Sequence, residues 1–512
     1  MKNHSYIIMF FSILLLVILS TGNLTAQNNI KDTENIVTTE AITSEDDSFE
    51  ESDEDMDSFL EDDDDSFEEL NTFPSDQNID ELTLDMGNSE SNDYSLSGYL
   101  KEELAYSHAK EDPYFSKVRS VLNLNFDYKH SEKTQVKLIW NGFYDDAYRI
   151  EGRDEFTDKT LEMYESESEI RDFYLNSTLS DWFQIKLGRQ IIAWGQSDSF
   201  QVIDLVNPRD QRELAQTDIE DTRIPVAASK FSFFKSSWTL DMVWVHENRV
   251  NKTGQIGSDF DPFINLRTAG LVVEQDDAPE NKLENSEYFI RIFKAGEGYD
   301  FSFIVADMFD DDIHFSAEIK NKNTVPYTQL TPEHQKVKVL GLAANILSGA
   351  WIWKTESSYT YKKALSRNDL QQQIQKHMLN PASDIVTKND KDVIKLMIGI
   401  EYSGFDDLLL IYEVMDNYIK DHNSTLLNEE RETTQSFRFD YSMLNDQFSW
   451  QGFLHHLSDQ NGMIMRTNIS YDISDGWNIE AGVIDYMAEK EENTLYPYRN
   501  QDRIFSSVKV SF

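Results

Sequence analysis

The chain has no cysteine among its 512 residues. That excludes a disulfide framework and a lipid anchor built on an N-terminal cysteine. Positive charge is scarce: 46 Lys and Arg stand against 93 Asp and Glu, for a formal net charge of −47. Phosphate binding needs a basic footprint, so nucleic acid is excluded as a partner. Long apolar runs are almost missing. Only residues 7–19 form one, and it is shorter than the roughly 20 apolar residues a spanning helix needs. Catalytic signatures are also lacking: there is no G-x-S-x-G elbow, no H-E-x-x-H and no Walker loop. His455 and His456 are adjacent, so in a strand they point to opposite faces and make a poor metal pair. His246, His314, His334 and His377 are isolated. The expectation is a protein that is not an enzyme and carries neither cofactor nor metal.

The apolar run follows Lys2 and precedes Leu24-Thr25-Ala26. A basic start, a short apolar heart and a small-residue site are the layout of a secretory signal, here residues 1–26 with cleavage after Ala26. An uncleaved anchor is the alternative. An exported chain without a spanning helix is either soluble or a β-barrel.

About half of the negative excess lies in residues 27–94, where Lys31 is the only basic residue. Low apolar content and high net charge predict a disordered periplasmic segment. Within it a unit recurs as Asp47-Ser48-Phe49, Asp57-Ser58-Phe59 and Asp65-Ser66-Phe67. Asp53, Asp55 and Asp57 imitate the start of a calcium loop, but Ser58 stands where Gly is required. A solvated tether is the plainer reading. The regular Phe keeps docking to a periplasmic partner in view.

From Ser95 onward the texture changes to aromatics and two-residue alternation, the mark of strands with two different faces. Leu122, Leu124, Phe126 and Tyr128 interleave with Asn123, Asn125 and Asp127. Ile394, Leu396, Ile398 and Ile400 interleave with Lys395, Met397 and Gly399, and Phe437, Phe439 and Tyr441 with Arg438 and Asp440. About eighteen such segments can be placed, with sixteen as the alternative, as expected for an even-stranded bacterial barrel. Tight connections near 129–133, 180–181, 235–237, 296–298, 348–349, 403–406, 444–446 and 474–476 alternate with longer polar ones. Short turns on one rim and long loops on the other are a transmembrane-barrel trait; a soluble sandwich has no reason to sort its connections this way. Trp140, Tyr144, Trp182, Trp238, Trp244, Trp351, Trp353, Trp450 and Trp477 fall near predicted strand ends, where interfacial girdles are expected. The predicted fold is therefore all-β: a transmembrane antiparallel up-and-down barrel over residues 95–512 in a Gram-negative outer membrane. Lipid and lipopolysaccharide would surround it.

The last strand, 503–512, puts Ile504, Ser506, Val508, Val510 and Phe512 on one face and Arg503, Phe505, Ser507, Lys509 and Ser511 on the other. This resembles the C-terminal signal that the barrel assembly machinery reads, with Val508, Val510 and Phe512 as its residues.

The stretch Leu187-Gly188-Arg189-Gln190-Ile191-Ile192-Ala193-Trp194-Gly195-Gln196 resembles two porin-like groups. One is the alginate-export family of eighteen-stranded barrels. The other is an uncharacterised proteobacterial barrel family found with exporters of the resistance-nodulation-division type, which the continuation Val206-Asn207-Pro208-Arg209-Asp210 resembles more. The resemblance implies passage of a solute or export of an envelope component. Read physically, Trp194-Gly195 marks a bend where the strand leaves the membrane. The following segment, 196–223, is the third long loop. Its Asp198, Asp204, Arg209, Asp210, Arg212 and Arg223 are candidates for a constriction, against the plainer reading of a solvated surface loop.

If the apolar face of each strand meets lipid, then Arg291, Lys336, Lys338, Lys395, Arg438, Arg466 and Lys509 line the lumen, a cationic set of the kind that favours anions. Glu401, Glu413, Asp440, Asp472 and Glu480 share that wall, so mild anion selectivity is expected at most. The competing function is a closed-lumen barrel that serves as a scaffold or adhesion platform through its long loops.

Overall fold

The computed structural model describes residues 93–217, 221–322, 325–458, 462–491 and 493–512. The signal segment 1–26 and the acidic segment as far as residue 92 lie outside the described residues. The strands, in chain order, are β1 Tyr94–Ser107, β2 Tyr114–Ser131, β3 Thr134–Asp145, β4 Ser166–Ser180, β5 Phe183–Gln190, β6 Val226–Lys235 and β7 Trp238–Val245. Then come β8 Val272–Val273, β9 Glu287–Gly296, β10 Tyr299–Phe309, β11 His314–Lys322, β12 Val325–Glu333, β13 Lys336–Ser348 and β14 Trp351–Ser366. The last are β15 Lys388–Phe405, β16 Leu408–Ile419, β17 Arg431–Met443, β18 Phe448–Leu457, β19 Gly462–Ser474, β20 Trp477–Ala488 and β21 Arg503–Ser511.

Eighteen of these form one sheet in which each strand pairs antiparallel with the next, β7 to β9 and β10 to β13 included. The sheet closes on itself. β21 pairs with β1 from Tyr99↔Ser511 to Ser107↔Arg503. At the seam Gly98 N–H donates to Phe512 O at 2.8 Å, and Phe512 N–H returns a bond to Gly98 O at 2.9 Å. Closure removes sheet edges, which a bilayer cannot hydrogen-bond. β8, β11 and β12 form a separate three-stranded sheet within two of the long connections.

The connections sort as the spacing predicts. β2–β3, β4–β5, β6–β7, β9–β10, β13–β14, β15–β16, β17–β18 and β19–β20 are joined by tight turns at one end. The intervening connections lie at the other end and most are longer, although β1–β2 and β18–β19 are short, the latter no longer than β17–β18. These connections carry all the helices of the described residues, including Asp158–Tyr164 and Leu370–Leu379.

The outward face is apolar around the barrel. Leu100, Phe126, Phe173, Ile290, Phe301, Leu342, Ile398, Phe437, Ile469 and Ile504 are all exposed. Soluble monomers do not expose so extensive an apolar belt. Aromatics mark the tight-turn rim. The Trp182, Phe183 and Phe233 rings stack, Trp351 packs on Tyr402 with centroids 4.2 Å apart, and Lys294 lies over both Trp238 and Tyr299. Trp140 is the exception to the strand-end pattern: it sits in the middle of β3, level with Leu124. Among the described residues no helix is long and apolar enough to cross a membrane.

Candidate functional site

The connection between β5 and β6 runs, over its described residues 191–217 and 221–225, through the barrel interior rather than over its rim. An apolar cluster fixes its first part. Ile192, Trp194, Phe200, Val202, Ile203 and Val206 pack against inward side chains of the wall: Val226, Val243, Val245, Phe289, Ile304, Met308, Val337, Val339 and Met397. Ile203 is fully buried there. Two wall glycines make the room. A methyl group on Gly341 would lie 3.0 Å from Ile203 Cγ2, and one on Gly399 would lie 3.1 Å from Glu413 Cγ.

This arc contradicts the rule that the apolar face meets lipid. On β13, Val337, Val339 and Ala343 face inward and are buried, while Lys336 and Lys338 face outward and are exposed. Lys336 pairs at 3.3 Å with Asp307, also on the outward face. Both lysines are therefore removed from the lumen-lining set. The physical reason is that the wall here has two apolar faces, one for the exterior and one for the loop, so polarity alone inverts the assignment. Trp194 is corrected likewise: it is buried inside the barrel with Phe289 edge-on to it, not at the membrane boundary.

The loop base is stitched by Asn207, which is fully buried. Its Oδ1 accepts from Ile192 N–H at 2.7 Å, and its Nδ2 donates to Gln190 O at 3.3 Å and Ile224 O at 2.9 Å. One side chain thus joins both ends of the loop. Beside it Asp204 accepts from Arg209 and Arg223, each at 2.8 Å, and from Trp194 N–H at 3.3 Å. Burial pushes the Arg209 guanidinium below its ordinary pKa despite Asp204. Asp210 and Arg212 form a second group, in which Arg212 also reaches Glu167 on β4 at 2.6 Å and Met163 O. Asp198 is bound by Lys354 of β14 at 2.6 Å. All six sequence candidates on the loop therefore sit in ion pairs.

The loop is held on two sides. Glu213 binds Lys117 at 2.6 Å and Arg119 at 2.8 Å, both on β2. Burial raises the Glu213 carboxyl, but Arg119 and Lys117 outweigh it and hold the group well below the usual carboxylate range. Toward the other wall, the backbone of residues 196–203 bonds to Glu356 of β14 and Glu413 of β16, and Ser199 Oγ accepts from Ser436 of β17 at 2.7 Å. Phe200 lies 5.3 Å from the His455 ring on β18. Part of the next long connection, 246–286, also packs against the barrel wall around Asp259 and Phe260. Its Asp259 binds Lys110 at 2.6 Å and pairs with Arg503 of β21, and its Phe260 packs with Ile464, Ile484, Tyr486 and Leu495.

Of the remaining lumen candidates, Arg291, Lys395, Arg438, Arg466 and Lys509 face inward. Arg291 pairs with Asp241 at 2.9 Å, Lys395 donates to Gln201 O at 3.4 Å, Arg438 pairs with Asp440 at 2.9 Å and Arg466 with Glu480 at 3.5 Å. Lys509 aligns with inward Lys101 across the β1–β21 seam. The reading missed further inward cations on the early strands. Lys137 is opposite Asp127, and Lys186 is directly opposite Lys230. Lys230 is 3.5 Å from Asp241, and Lys186 lies 3.8 Å over the Tyr174 ring. Period-two parity would have found them. Glu356 is visible the same way, at even spacing with Lys354 and Ser358. Among the described residues no group of three or more His, Asp or Glu is placed to hold a metal ion.

The family described as "Protein of unknown function (DUF1302)" matches residues 63–512. No curated protein matches the sequence. Among solved structures, Acinetobacter baumannii OccAB1 aligns with a TM-score of 0.49 at 8% identity, covering 82% of this chain and 96% of that one. Pseudomonas aeruginosa OccK2 (OpdF), solved in complex with glucuronate, aligns at 0.47 and 9%, covering 82% and 97%. OccK8 (OprE) of the same organism aligns at 0.47 and 10%, covering 82% and 98%.

Proposed function

The chain belongs to the DUF1302 family, and for this member we propose an outer-membrane channel that passes a polar solute passively through a charged lumen narrowed by the 191–225 loop. One observation carries the reading. A closed eighteen-stranded barrel with an apolar outer face has its interior crossed by a loop bonded to walls on both sides. The exterior suits lipid and lipopolysaccharide, and the seam made by Phe512 suits assembly through Val508, Val510 and Phe512. The ion-paired loop charges Asp198, Asp204, Arg209, Asp210, Arg212 and Arg223 would act by holding the constriction in shape more than by meeting the solute.

Lys101, Lys137, Lys186, Lys230, Arg291, Lys354, Lys395, Arg438, Arg466 and Lys509 supply positive charge to the wall, and Asp127, Asp241, Glu356, Glu401, Glu413, Asp440, Asp472 and Glu480 oppose it. That near-balance leaves room for mild anion selectivity at most. The likeness of residues 187–196 to barrels found with exporters supports outward passage as one direction of transport. The test is the reversal potential of purified protein in planar bilayers under a salt gradient. Discrete conductance with a modest preference for chloride is expected; clear cation preference would overturn the selectivity.

A second reading, a closed-lumen scaffold acting through its long loops, is favoured by the apolar cluster that fills one arc of the interior. Absence of conductance from correctly folded, heat-modifiable protein would select it.

A further inference from the structure

The loop's first turn is gripped by two carboxylates of the wall. Glu356 and Glu413 are buried, at 1% and 0% exposure. Glu356 Oε1 accepts from the N–H groups of Gln196 and, at 2.9 Å, Ser197; its Oε2 accepts from Ile203 N–H at 3.2 Å. Glu413 Oε1 accepts from Asp198 N–H at 3.1 Å. Its Oε2 accepts from Ser199 N–H at 3.0 Å and Ser197 Oγ at 2.9 Å. Four successive main-chain N–H groups, 196 to 199, thus converge on two side chains. An inward-folded loop has no neighbouring strand to satisfy its N–H groups, and a buried donor left unpaired costs about 1–3 kcal/mol. Carboxylates are suited to the task because each offers two acceptor oxygens, and a charge-assisted bond is roughly twice as strong as a neutral one.

The wall is built around this contact. In register, Met397 of β15 is opposite Glu356 and Gly399 is opposite both Lys354 and Glu413. Gly399 leaves the Glu413 side chain its space. Lys354 bridges Asp198 of the loop at 2.6 Å and Glu401 of β15 at 2.7 Å, placing a cation in the same group.

We infer that Glu356 and Glu413 are positioning residues that latch residues 196–203 to the β14–β16 wall and so set where the lumen is narrowed. The inference rests on the channel reading for its consequence, but the latch can be tested apart from conductance. The chain has no cysteine, and Ser199 and Ser436 have their hydroxyls 2.7 Å apart. A Ser199→Cys, Ser436→Cys pair in full-length protein, in isolated outer membranes, therefore reports loop position. Mild diamide oxidation is followed by maleimide-polyethylene-glycol labelling of the remaining thiols.

Near-complete disulfide formation is expected with the latch intact. A severalfold lower yield is expected after Glu356→Gln plus Glu413→Gln, with heat-modifiable migration retained. The two single variants carry the test if the double variant does not assemble. Glu480→Gln, at another inward carboxylate that bonds Arg466 and Ser507 rather than the loop, should leave the yield unchanged. An unchanged yield in the latch variants, or an equal fall in Glu480→Gln, overturns the latch. If no form conducts, the channel reading fails while the cross-link still decides whether the latch exists.

Discussion

Two arcs of the same inner wall differ in kind. From β6 to β13 the inward side chains toward the long connections are apolar, with Val226, Val243, Phe289, Ile304 and Val339 buried under the loop, while Lys230, Asp241 and Arg291 form an ion-paired group nearer the tight turns. From β14 around to β5 they are mostly charged or polar, as with Lys354, Glu413, Arg438, Arg466, Glu480, Lys101, Lys137 and Lys186. The outward face shows no such division. The difference teaches that alternation fixes which residues share a face, while polarity identifies the lumen face only where the lumen is wet. Where an inserted segment dries it, both faces of a strand become apolar and the barrel gains a second core.

The comparison breaks most readily at the dry arc. Ile203→Asp would put an unpaired carboxylate into a fully buried site, a change costing several kcal/mol unless the loop leaves. Protease cleavage within 191–217 of otherwise folded barrel is expected; a loop as resistant as wild type would refute the core. On the outer face, Leu342→Arg should destabilise the barrel by about 2–4 kcal/mol if that residue lies near the bilayer midplane. Urea unfolding in lipid vesicles measures this, and no effect would place the apolar belt elsewhere. Asn207→Ala removes three bonds from both ends of the loop. At roughly 1 kcal/mol per bond, about 2–3 kcal/mol of loop anchorage is expected to go, read as faster loop proteolysis without loss of heat-modifiability.

A smaller effect concerns pH. Glu213 is held below its ordinary pKa, so its ion pairs stabilise the loop above the ordinary carboxylate value of about 4.3 and lose that contribution only as pH falls through the lower folded value. Loop protection should persist from neutral pH to about pH 4. The gap between wild type and Glu213→Gln should close only in stronger acid. The smallest effect separates the two faces of β13: Lys338→Ala should leave the reversal potential unchanged because Lys338 points outward.

Much of the fold was legible in the sequence. The spacing of Leu122 to Tyr128 or Ile394 to Tyr402 gives strand and facing together, and the alternation of tight and long connections gives an up-and-down barrel. The third long loop was identified as a candidate for inward folding from its place and its charges. The anchors were harder to see. Asn207 and Glu356 act through contacts with residues distant in sequence, Glu356 with a segment about 150 residues earlier. Lys336 and Lys338 were misassigned because Val337 and Val339 look lipid-facing until the loop that covers them is placed. Trp194 was misread for the same reason.

The most direct test of the account is single-channel conductance in planar bilayers before and after residues 196–206 are replaced by a short Gly-Ser linker. Small, discrete steps from the native chain and clearly larger steps from the replacement are predicted. Steps of equal size in the two would contradict a constriction built by this loop.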